Sequence, residues 1–416
     1  MTDYYKNRFC RLCRSKKKRK VFNLNRSPLA KAFRKNILIK NKHYPLNIYL
    51  CLDCKHLQLV NIVNPKILFS NYLYSSGASQ VYIDHLKNYS DSLIKKYDLN
   101  YKIDSICDIG SNDGIFLDFF NKKGFKVLGI EPSKNLSTIS KKKGIKTKNN
   151  FFGSRFVILN KKLLKSFKII TTNHVFAHVK NIQDFTLCVQ KFLKDDGIFI
   201  FEVGYLADVI KNKYFDTIYH EHLDYHHFQP LKKFFYKFNM KIIYAEKTKT
   251  QGGSIRIHVA QKSNRTLSTD YTSINKIIKL ENKLQLSKIQ TYQVFFQKVQ
   301  KQKTNFLNLI KYKKLKNKII IGYGATAKAT TFLSFFEMPK NLIKVIIDDS
   351  NIKENYFMPG YNIQIKQFNY LYKIKFDYII IFAWNFNDSI IDKLRKIKNR
   401  KFKIISLFPV VKTFSI

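Results

Sequence analysis

The sequence has no apolar run long enough to cross a membrane. A membrane-spanning helix needs roughly 20 predominantly apolar residues, whereas the longest apolar run here, residues 378–384, has the length of a strand. Residues 2–6 also lack the apolar core of a secretory signal. We therefore expect a cytoplasmic protein with no membrane partner.

Acidic residues are scarce, with 28 Asp and Glu against 76 Lys and Arg and a formal net charge of +48. Such an excess is typical of proteins that bind nucleic acids. However, the positive residues are nearly all lysines spread along the whole chain, with abundant Ile, Asn, Phe and Tyr, the residues that AT-rich codons encode. We attribute the charge to this composition and expect no nucleic-acid partner, although the excess favours an anionic ligand such as a nucleotide diphosphate.

Apolar residues follow different periods in different parts of the chain. At about 150 residues per domain, the 416 residues predict two or three domains. Strand and helix patterns alternate from about residue 80 to 260 and again from Lys318, which predicts two α/β units. From Ile274 apolar residues recur every three or four positions, which predicts one extended amphipathic helix. The predicted parts are a loop-and-strand module at 1–75, an α/β domain at 76–265, a helical connector at 266–316 and a second α/β domain at 317–416.

Four of the six cysteines form two C-x-x-C pairs near the N-terminus. Cys10 and Cys13 are separated by 37 residues from Cys51 and Cys54, and four thiolates at this spacing are typical of a tetrahedral zinc site. Disulfides are the alternative, which a cytoplasmic setting disfavours. Because the protein supplies all four ligands, we predict a closed, structural zinc site with no catalytic role.

A glycine-containing turn follows the first predicted strand of the α/β region. The strand, residues 105–109, leads into D-I-G-S-N-D-G at 108–114 and then into a helix. Glycines here permit a close backbone approach to a ligand at the helix N-terminus, and Glu131 at the end of the next strand can accept both hydroxyls of a ribose. The pattern fits S-adenosylmethionine, with an ordinary strand-to-helix turn as the alternative. The predicted cofactor-binding residues are Asp108, Gly110, Asn112, Asp113, Gly114, Glu131 and Pro132.

Residues 219–227, Y-H-E-H-L-D-Y-H-H, hold four of the ten histidines. The zinc motif H-E-x-x-H is absent, and alternating His-Glu-His does not place two imidazoles one helical turn apart. An imidazole can act as a general base near neutral pH, and a neighbouring carboxylate can orient it. We therefore predict a general base in this segment, with a structural patch of His and Tyr as the alternative.

These motifs occur together with N-H-V-F-A-H at 173–178, G-G-S-I-R at 252–256, G-Y-G-A-T-A-K at 322–328, M-P-G at 358–360 and A-W-N at 383–385. As an ordered set, they resemble the nucleotide-sugar C-methyltransferases, the enzymes that make branched-chain deoxysugars. The similarity covers essentially the whole chain, in the domain order of that family. It implies an α/β fold, in which a class I methyltransferase Rossmann-like sheet lies between a small N-terminal zinc module and a second Rossmann-like domain.

The resemblance also implies the reaction and several site residues. A methyl group would move from S-adenosylmethionine to a carbon beside the keto group of a 4-keto NDP-deoxysugar. The general base is placed at His222, with Tyr219 and Glu221 close by. The cofactor site would further include Asn173 and His174. A Tyr- and Ser-rich segment, with Tyr72 and Ser75, would close over the cofactor.

The C-terminal unit carries G-x-G-x-x-A at 322–327, and acidic residues, Asp348 and Asp349, end the next strand. Alone, this pattern is typical of a dinucleotide fold, so a second, NAD-dependent activity is an alternative. The resemblance instead implies that this unit helps to bind the sugar nucleotide. The predicted acceptor-binding residues are Tyr205, Lys328 (at the diphosphate), Trp384 and Asn385, with core packing as the alternative for the tryptophan.

Other functions stay open from the sequence. An O- or N-methyltransferase of a related sugar nucleotide is the enzymatic alternative; a zinc-containing nucleic-acid-binding protein and a non-catalytic sugar-nucleotide sensor are the others. The chain differs from the family pattern at Gln251, where histidine is frequent, and at Asp224, where serine is common. We expect a monomer or a homodimer.

Overall fold

Antiparallel strands form the N-terminal part of the chain. The computed structural model of the protein describes residues 3–69, 75–311, 317–397 and 400–415. The first elements are β1 (Tyr4–Lys6), β2 (Lys18–Pro28), β3 (His43–Cys51), β4 (Leu57–Leu59), β5 (Asn61–Val63) and α1 (Pro65–Phe69). Strands β2, β3 and β4 form a meander, and β1 pairs with β5. Alternate residues of β3 are buried, from Tyr44 to Leu50, as expected for a sheet with one face on a core.

The middle of the chain forms a seven-stranded sheet. Its strands are β6 (Ser105–Ile109), β7 (Lys126–Ile130), β8 (Thr147–Lys148), β9 (Phe167–Asn173), β10 (Leu193–Gly204), β12 (Met240–Thr248) and β13 (Ser254–Gln261), with β11 (Asp224–Tyr225) outside it. The helices are α2 (Gln80–Lys96), α3 (Ile115–Asn121), α4 (Lys134–Lys142), α5 (Ser154–Leu159), α6 (Ile182–Phe192), α7 (Leu206–Asn212) and α8 (Phe228–Lys237).

The strand order β12-β13-β10-β9-β6-β7-β8 is that of a class I methyltransferase sheet, so the predicted fold class is confirmed. Strands β6 to β10 run parallel, whereas β13 is antiparallel to both of its neighbours. Central parallel strands are buried on both faces. In β10, Ile198 and Ile200 pack with the α2 and α3 side, and Phe199 and Phe201 pack with the α6 and α8 side.

The connector consists of two helices, α9 (Tyr271–Lys283) and α10 (Ile289–Lys311), rather than the single extended helix that the periodicity predicted. The break occurs at Gln285, whose φ of 52° is left-handed. The next residue, Leu286, is only 1% exposed, and its carbonyl accepts a hydrogen bond from the hydroxyl of Tyr292 at 2.5 Å. Burial of this leucine therefore accompanies a turn that a 3.6-residue period does not reveal.

A second parallel sheet forms the C-terminal unit. Its elements are β14 (Ile320–Tyr323), α11 (Ala327–Phe336), β15 (Ile343–Ile347), β16 (Gln364–Lys366), β17 (Tyr378–Ile381), α12 (Asn387–Arg395), β18 (Lys403–Ser406) and β19 (Lys412–Ser415). The strand order is β16-β15-β14-β17-β18-β19, and only β19 is antiparallel to its neighbour. Among the described helices of the chain, none combines the length and apolar character that crossing a membrane would require.

A buried ion pair joins the N-terminal module to the seven-stranded domain. Strand β11 lies outside the large sheet and pairs with β4 of the module. Next to this pairing, Asp224 accepts hydrogen bonds from Arg11 Nε and His56 Nε2, each at 2.8 Å. Burial opposes ionisation of Asp224, but the guanidinium of Arg11 and the His56 hydrogen bond hold the pKa of its carboxyl well below the usual range. The same guanidinium donates to the carbonyls of Val179 and Lys180, so it links three segments.

Asp224→Asn should lower the free energy of unfolding strongly. Breaking one partner of a buried pair leaves an uncompensated charge and costs about 3–5 kcal/mol, and chemical denaturation measures this loss. The matched control is Asp195→Asn, because Asp195 pairs with Lys165 on the surface and exposed pairs contribute at most about 1 kcal/mol. Equal losses for the two variants would contradict the docking role of Asp224.

Candidate active site

The four N-terminal cysteines converge on one point. Cys10 Sγ lies 3.6 Å from Cys54 Sγ, and Cys13 Sγ lies 3.5 Å from Cys51 Sγ. All four sulfurs lie within 4.8 Å of one another. A zinc ion with four sulfurs at about 2.3 Å requires sulfur–sulfur separations of about 3.8 Å, so the cluster has the size that tetrahedral zinc needs. Gln58 Nε2 also donates to Cys10 Sγ at 3.3 Å, which suits a thiolate.

A cavity of about 450 Å³ lies at the carboxyl ends of β6, β7 and β9. We call it the sheet-edge cavity. Parallel α/β sheets bind ligands at this edge. Of the residues predicted to bind the cofactor, the cavity is lined by Gly110, Asn112, Glu131, Pro132, Asn173 and His174. Tyr72 lies outside the described residues.

Glu131 is held rigidly at the rim of the sheet-edge cavity. Its Oε2 accepts from the backbone N–H of Asn112 at 2.9 Å, and its Oε1 accepts from the N–H of Ser133 at 2.8 Å. Burial raises the pKa of this carboxyl, and the two backbone bonds oppose the shift. Gly110, which also lines the cavity, lies close to Val175. Its φ is 76°, and a Cβ at this position would lie 2.4 Å from Val175 Cγ2. Only glycine is tolerated at such a position.

The other predicted cofactor residues hold the loop after β6 and its neighbouring segment in place without lining the sheet-edge cavity. Asp108 is buried and accepts from Thr171 Oγ1 at 2.6 Å, and burial raises its pKa to about 7. Asp113 accepts from Ser75 Oγ at 2.6 Å and from the N–H of Gly77 at 2.9 Å. Gly114 caps α3 with φ of 78°. None of these residues lines the sheet-edge cavity, but Asp113 and Ser75 fix the segment that borders it at Ser76.

A second cavity, of about 210 Å³, lies between the three parts of the chain. We call it the interdomain cavity. Five of its lining residues were predicted from the sequence: His174, Tyr219, His222, Lys328 and Asn385. The two cavities share His174, His178 and Gln251. A group bound in one cavity can therefore meet a group bound in the other at these three residues.

His222 presents one ring nitrogen as an acceptor. Its Nδ1 lies 2.7 Å from the carbonyl oxygen of Thr217; since a carbonyl only accepts, Nδ1 carries the proton and Nε2 keeps its lone pair. The ring stacks against His178 at 5.0 Å and packs on Tyr219 at 4.0 Å between centroids. Burial lowers the pKa of His222 to about 3, and the charges of Lys31 and Lys328 act in the same direction. The imidazole is thus neutral at pH 7.

Glu221, the residue before His222, does not line the interdomain cavity. It is 1% exposed, and its Oε2 has no hydrogen-bond partner within the described residues. Burial raises the pKa of Glu221, whereas the charge of Lys31 lowers it. The carboxylate therefore faces a lysine from the N-terminal module.

The structure does not bring Tyr205 and Trp384 to the interdomain cavity, and this corrects their predicted role as acceptor-binding residues. Tyr205 is fully buried, and its hydroxyl donates to Glu281 Oε1 at 3.0 Å. Trp384 Nε1 donates to Asp216 Oδ2 at 2.7 Å, and its ring stacks on Tyr214 at 3.8 Å. Both side chains thus satisfy their polar groups within protein contacts. Trp384 is half-buried, and its ring lies 4.1 Å from Nζ of the cavity-lining Lys328, so it contacts that lysine from outside the cavity lining.

The acidic residue that follows β15 is also occupied. Asp348 Oδ2 accepts from the N–H of Ala325 at 2.7 Å, and Oδ1 accepts from Lys353 Nζ at 3.0 Å. Because these contacts tie the carboxylate to the glycine loop, Asp348 is not presented to a ribose, as a dinucleotide site would require. This geometry disfavours the NAD-dependent alternative.

The sequence patterns did not predict three of the residues that line the interdomain cavity, namely two lysines and one histidine. Lys31 and Lys353 line the interdomain cavity, but neither lies in a recognisable motif. His178 belongs to the N-H-V-F-A-H segment and lines both cavities, so the motif itself was the signal. Gln251, a departure from the family pattern, lies at the same junction with φ of 52°.

Comparisons with known proteins agree with this arrangement. Residues 10–69 match a zinc binding domain, residues 78–244 match a methyltransferase domain, and residues 249–409 match the C-methyltransferase C-terminal domain. A curated relative, the C-methyltransferase NovU of Streptomyces niveus, is 25% identical over 354 residues, covering 84% of this chain and 82% of the relative.

Two solved structures are similar to a part of the chain. The PH0226 protein of Pyrococcus horikoshii is 14% identical with a TM-score of 0.36, covering 47% of this chain and 98% of that one. A geranyl diphosphate C-methyltransferase of Streptomyces coelicolor is 11% identical with a TM-score of 0.36, covering 44% of this chain and 83% of that one.

The chain is therefore an S-adenosylmethionine-dependent methyltransferase, in which a zinc binding domain precedes the methyltransferase domain and a C-methyltransferase C-terminal domain follows it. The resemblance inferred from the sequence motifs and the predicted pair of cofactors are confirmed.

Metal analysis of the purified protein should give one zinc ion per chain. Cys13→Ser removes a ligand, so its zinc content and its melting temperature should both fall, because metal binding contributes to folding. The matched control is Cys188→Ser, which alters a buried cysteine of α6 outside the cluster and should keep its zinc. A Cys13→Ser protein with a full zinc complement would contradict the assignment.

Proposed function

We propose that this methyltransferase acts on a carbon atom beside the keto group of a 4-keto NDP-deoxysugar, in branched-chain sugar biosynthesis. One observation carries the proposal: a neutral histidine with a free lone pair, His222, faces the interdomain cavity close to its junction with the sheet-edge cavity. A carbon beside a carbonyl becomes a nucleophile only after a base has removed its proton, and His222 can supply that base. The C-methyltransferase C-terminal domain and the relationship to NovU support the same reaction.

The sheet-edge cavity would hold S-adenosylmethionine, which supplies an electrophilic methyl group on its sulfonium. We propose that Glu131 accepts the ribose hydroxyls, because its backbone bonds fix the carboxylate at the cavity rim. Gly110 and Asn112 would line the adenosine, and Asn173 and His174 would border the reacting end. Ser75 and Asp113 would hold the bordering segment in place.

The interdomain cavity would hold the sugar nucleotide. Two cations line the side of this cavity that the C-terminal unit forms. Lys328 Nζ donates to Asn385 Oδ1 at 2.7 Å, and Lys353 Nζ donates to the carbonyl of Ala325 at 3.0 Å. Both flank the glycine loop and the first turn of α11, a setting that favours an anion. We propose that the diphosphate binds here, with the sugar directed toward His222.

The chemistry then follows from the position of His222. Nε2 removes the proton from the carbon beside the keto group, and the C–H electron pair becomes the carbon–carbon double bond of an enolate. With the methyl donor bound in the sheet-edge cavity, that carbon would take the methyl group across the junction of the two cavities. The methyl–sulfur bond would break, its electron pair would stay on the sulfur of S-adenosylhomocysteine, and the carbonyl would re-form. A bound diphosphate would offset the charge of Lys328, which lowers the pKa of His222, and so would raise that pKa.

Solvent exchange tests the carbon-acid step directly. In heavy water, without the methyl donor, the enzyme should replace the proton beside the keto group of an NDP-4-keto-6-deoxysugar with deuterium, as followed by NMR. His222→Asn should slow this exchange by about 10²–10⁴-fold, while His43→Asn, at an exposed histidine, should leave it unchanged. Absence of exchange by the wild-type enzyme with every such sugar would redirect the assignment to an oxygen or nitrogen acceptor.

Glu131→Gln should weaken cofactor binding. Hydrogen bonds to a charged acceptor contribute about 1.5–3 kcal/mol, so the Kd for S-adenosylmethionine should rise roughly 10- to 150-fold by calorimetry. Glu354→Gln, at an exposed position of the C-terminal unit, is the control and should keep the wild-type Kd. An unchanged Kd in Glu131→Gln would show that another group binds the ribose.

A further inference from the structure

We propose that the zinc-binding module contributes a catalytic residue, Lys31, whose ammonium group stabilises the negative oxygen that forms when His222 removes the acceptor proton. The proposal rests on the proposed function of the same site and deepens it, because it assigns the group that receives the developing charge. It also gives the module a role beyond folding: part of the active site would be missing without it.

Lys31 reaches the site from a loop that is fixed at both of its neighbours. The loop connects β2 to β3 and lines the interdomain cavity through Lys31 and Phe33. The carbonyl of Ala30 accepts from Thr330 Oγ1 of α11 at 3.0 Å. The carbonyl of Ala32 accepts from Asn41 Nδ2 at 2.9 Å. The backbone on either side of Lys31 is therefore held before any substrate binds, which is the condition for electrostatic preorganisation.

The C-terminal domain completes the support of this loop. Arg34 is buried, and its guanidinium donates to the carbonyl of Tyr361 at 2.8 Å. Asn41 Oδ1 accepts from the N–H of Gly360 at 2.8 Å. These contacts come from the M-P-G segment at 358–360 and from the residue after it. This part of the C-terminal domain therefore anchors the loop that carries Lys31.

The cations of the interdomain cavity divide between its two ends. Lys353 contacts the glycine loop at Ala325, and the charge that acts on Lys328 is that of Asp216. The charge of Lys31 acts on Glu221, His222 and His178, and that of Lys328 also acts on His222. Because Glu221 and His222 both belong to the Y-H-E-H segment, we assign Lys31 to the reactive end of the cavity. Lys328 and Lys353 line it beside the glycine loop, where the diphosphate is proposed to bind.

Glu221 has a clear role in this arrangement. Burial lowers the pKa of Lys31 to about 8, and the carboxylate of Glu221 opposes that shift. The lysine is thus protonated at pH 7, and Glu221 acts through it as a positioning residue. Glu221 can therefore act on the site through Lys31 although it does not itself line the cavity.

The proton step balances with these groups. The proton moves from the acceptor carbon to His222 Nε2, the C–H electron pair forms the carbon–carbon double bond, and the carbonyl π pair moves onto oxygen. That oxygen gains a full negative charge inside the interdomain cavity, where a fixed cation is worth more than in bulk solvent. On methyl transfer, the oxygen pair would re-form the carbonyl and the double-bond pair would form the new carbon–carbon bond. The methyl–sulfur pair would stay on the sulfur of the donor, and Lys31 would be left unchanged.

The test is the deuterium exchange of an NDP-4-keto-6-deoxysugar in heavy water without the methyl donor. Lys31→Met should lower the exchange rate at saturating sugar nucleotide by about 10²–10³-fold, the loss typical for one oxyanion donor. Lys31→Arg should recover part of that loss because it keeps the charge. Zinc content and the Kd for S-adenosylmethionine should match the wild type. Lys40→Met, at an exposed lysine of the same loop, should exchange at the wild-type rate.

Three other results would contradict a role for the charge of Lys31 or decide it. A Lys31→Met enzyme that exchanges at the wild-type rate once saturated, with only a raised Kd for the sugar nucleotide, would overturn the proposal and make Lys31 a binding residue. If the wild-type enzyme exchanges no proton, the proposed function fails, and this proposal fails with it. If Lys31→Met loses zinc, Lys31→Gln and Lys31→Arg decide: equal exchange rates in the two would overturn a role for the charge.

Discussion

The active site depends on one buried carboxylate, Asp224, which joins the zinc binding domain to the methyltransferase domain. Its partners, Arg11 and His56, both come from the zinc binding domain, and Arg11 lies between two of the zinc ligands, Cys10 and Cys13. Asp224 itself lies two residues after His222. The metal, the ion pair and the proposed base are therefore connected by short stretches of backbone, so that any disturbance of the zinc site acts on the position of the imidazole.

This connection gives the three parts of the chain distinct tasks around one reaction. The methyltransferase sheet carries the sheet-edge cavity with Glu131 at its rim, and the C-terminal unit carries Lys328 and Lys353. The zinc binding domain closes the interdomain cavity with the loop that holds Lys31. Lysines from both the zinc binding domain and the C-terminal unit line that cavity, which suits a substrate that is anionic at its diphosphate and becomes anionic at its carbonyl.

Local patterns predicted the parts of the structure that local physics decides. Strand β6 has the predicted bounds because a short apolar run between turns leaves little choice of register. The four cysteines converge because two C-x-x-C turns suit a tetrahedral cluster. The extended connector helix was wrong, because the burial of Leu286 against the rest of the chain is a tertiary contact. Lys31 was missed for the same reason: nothing in its own segment indicates that the loop docks on α11 and the M-P-G segment. Tyr205 and Trp384 look like ligand-binding residues by type, and only their hydrogen bonds to Glu281 and Asp216 show that other parts of the protein hold their polar groups.

The central claim is that the new bond joins carbon to carbon. The most direct measurement is NMR of the product made from an NDP-4-keto-6-deoxysugar and S-adenosylmethionine carrying a ¹³C-labelled methyl group. The account predicts that the labelled methyl carbon couples to a sugar ring carbon that has lost its proton beside the keto group. A labelled methyl attached to oxygen or to nitrogen would contradict it.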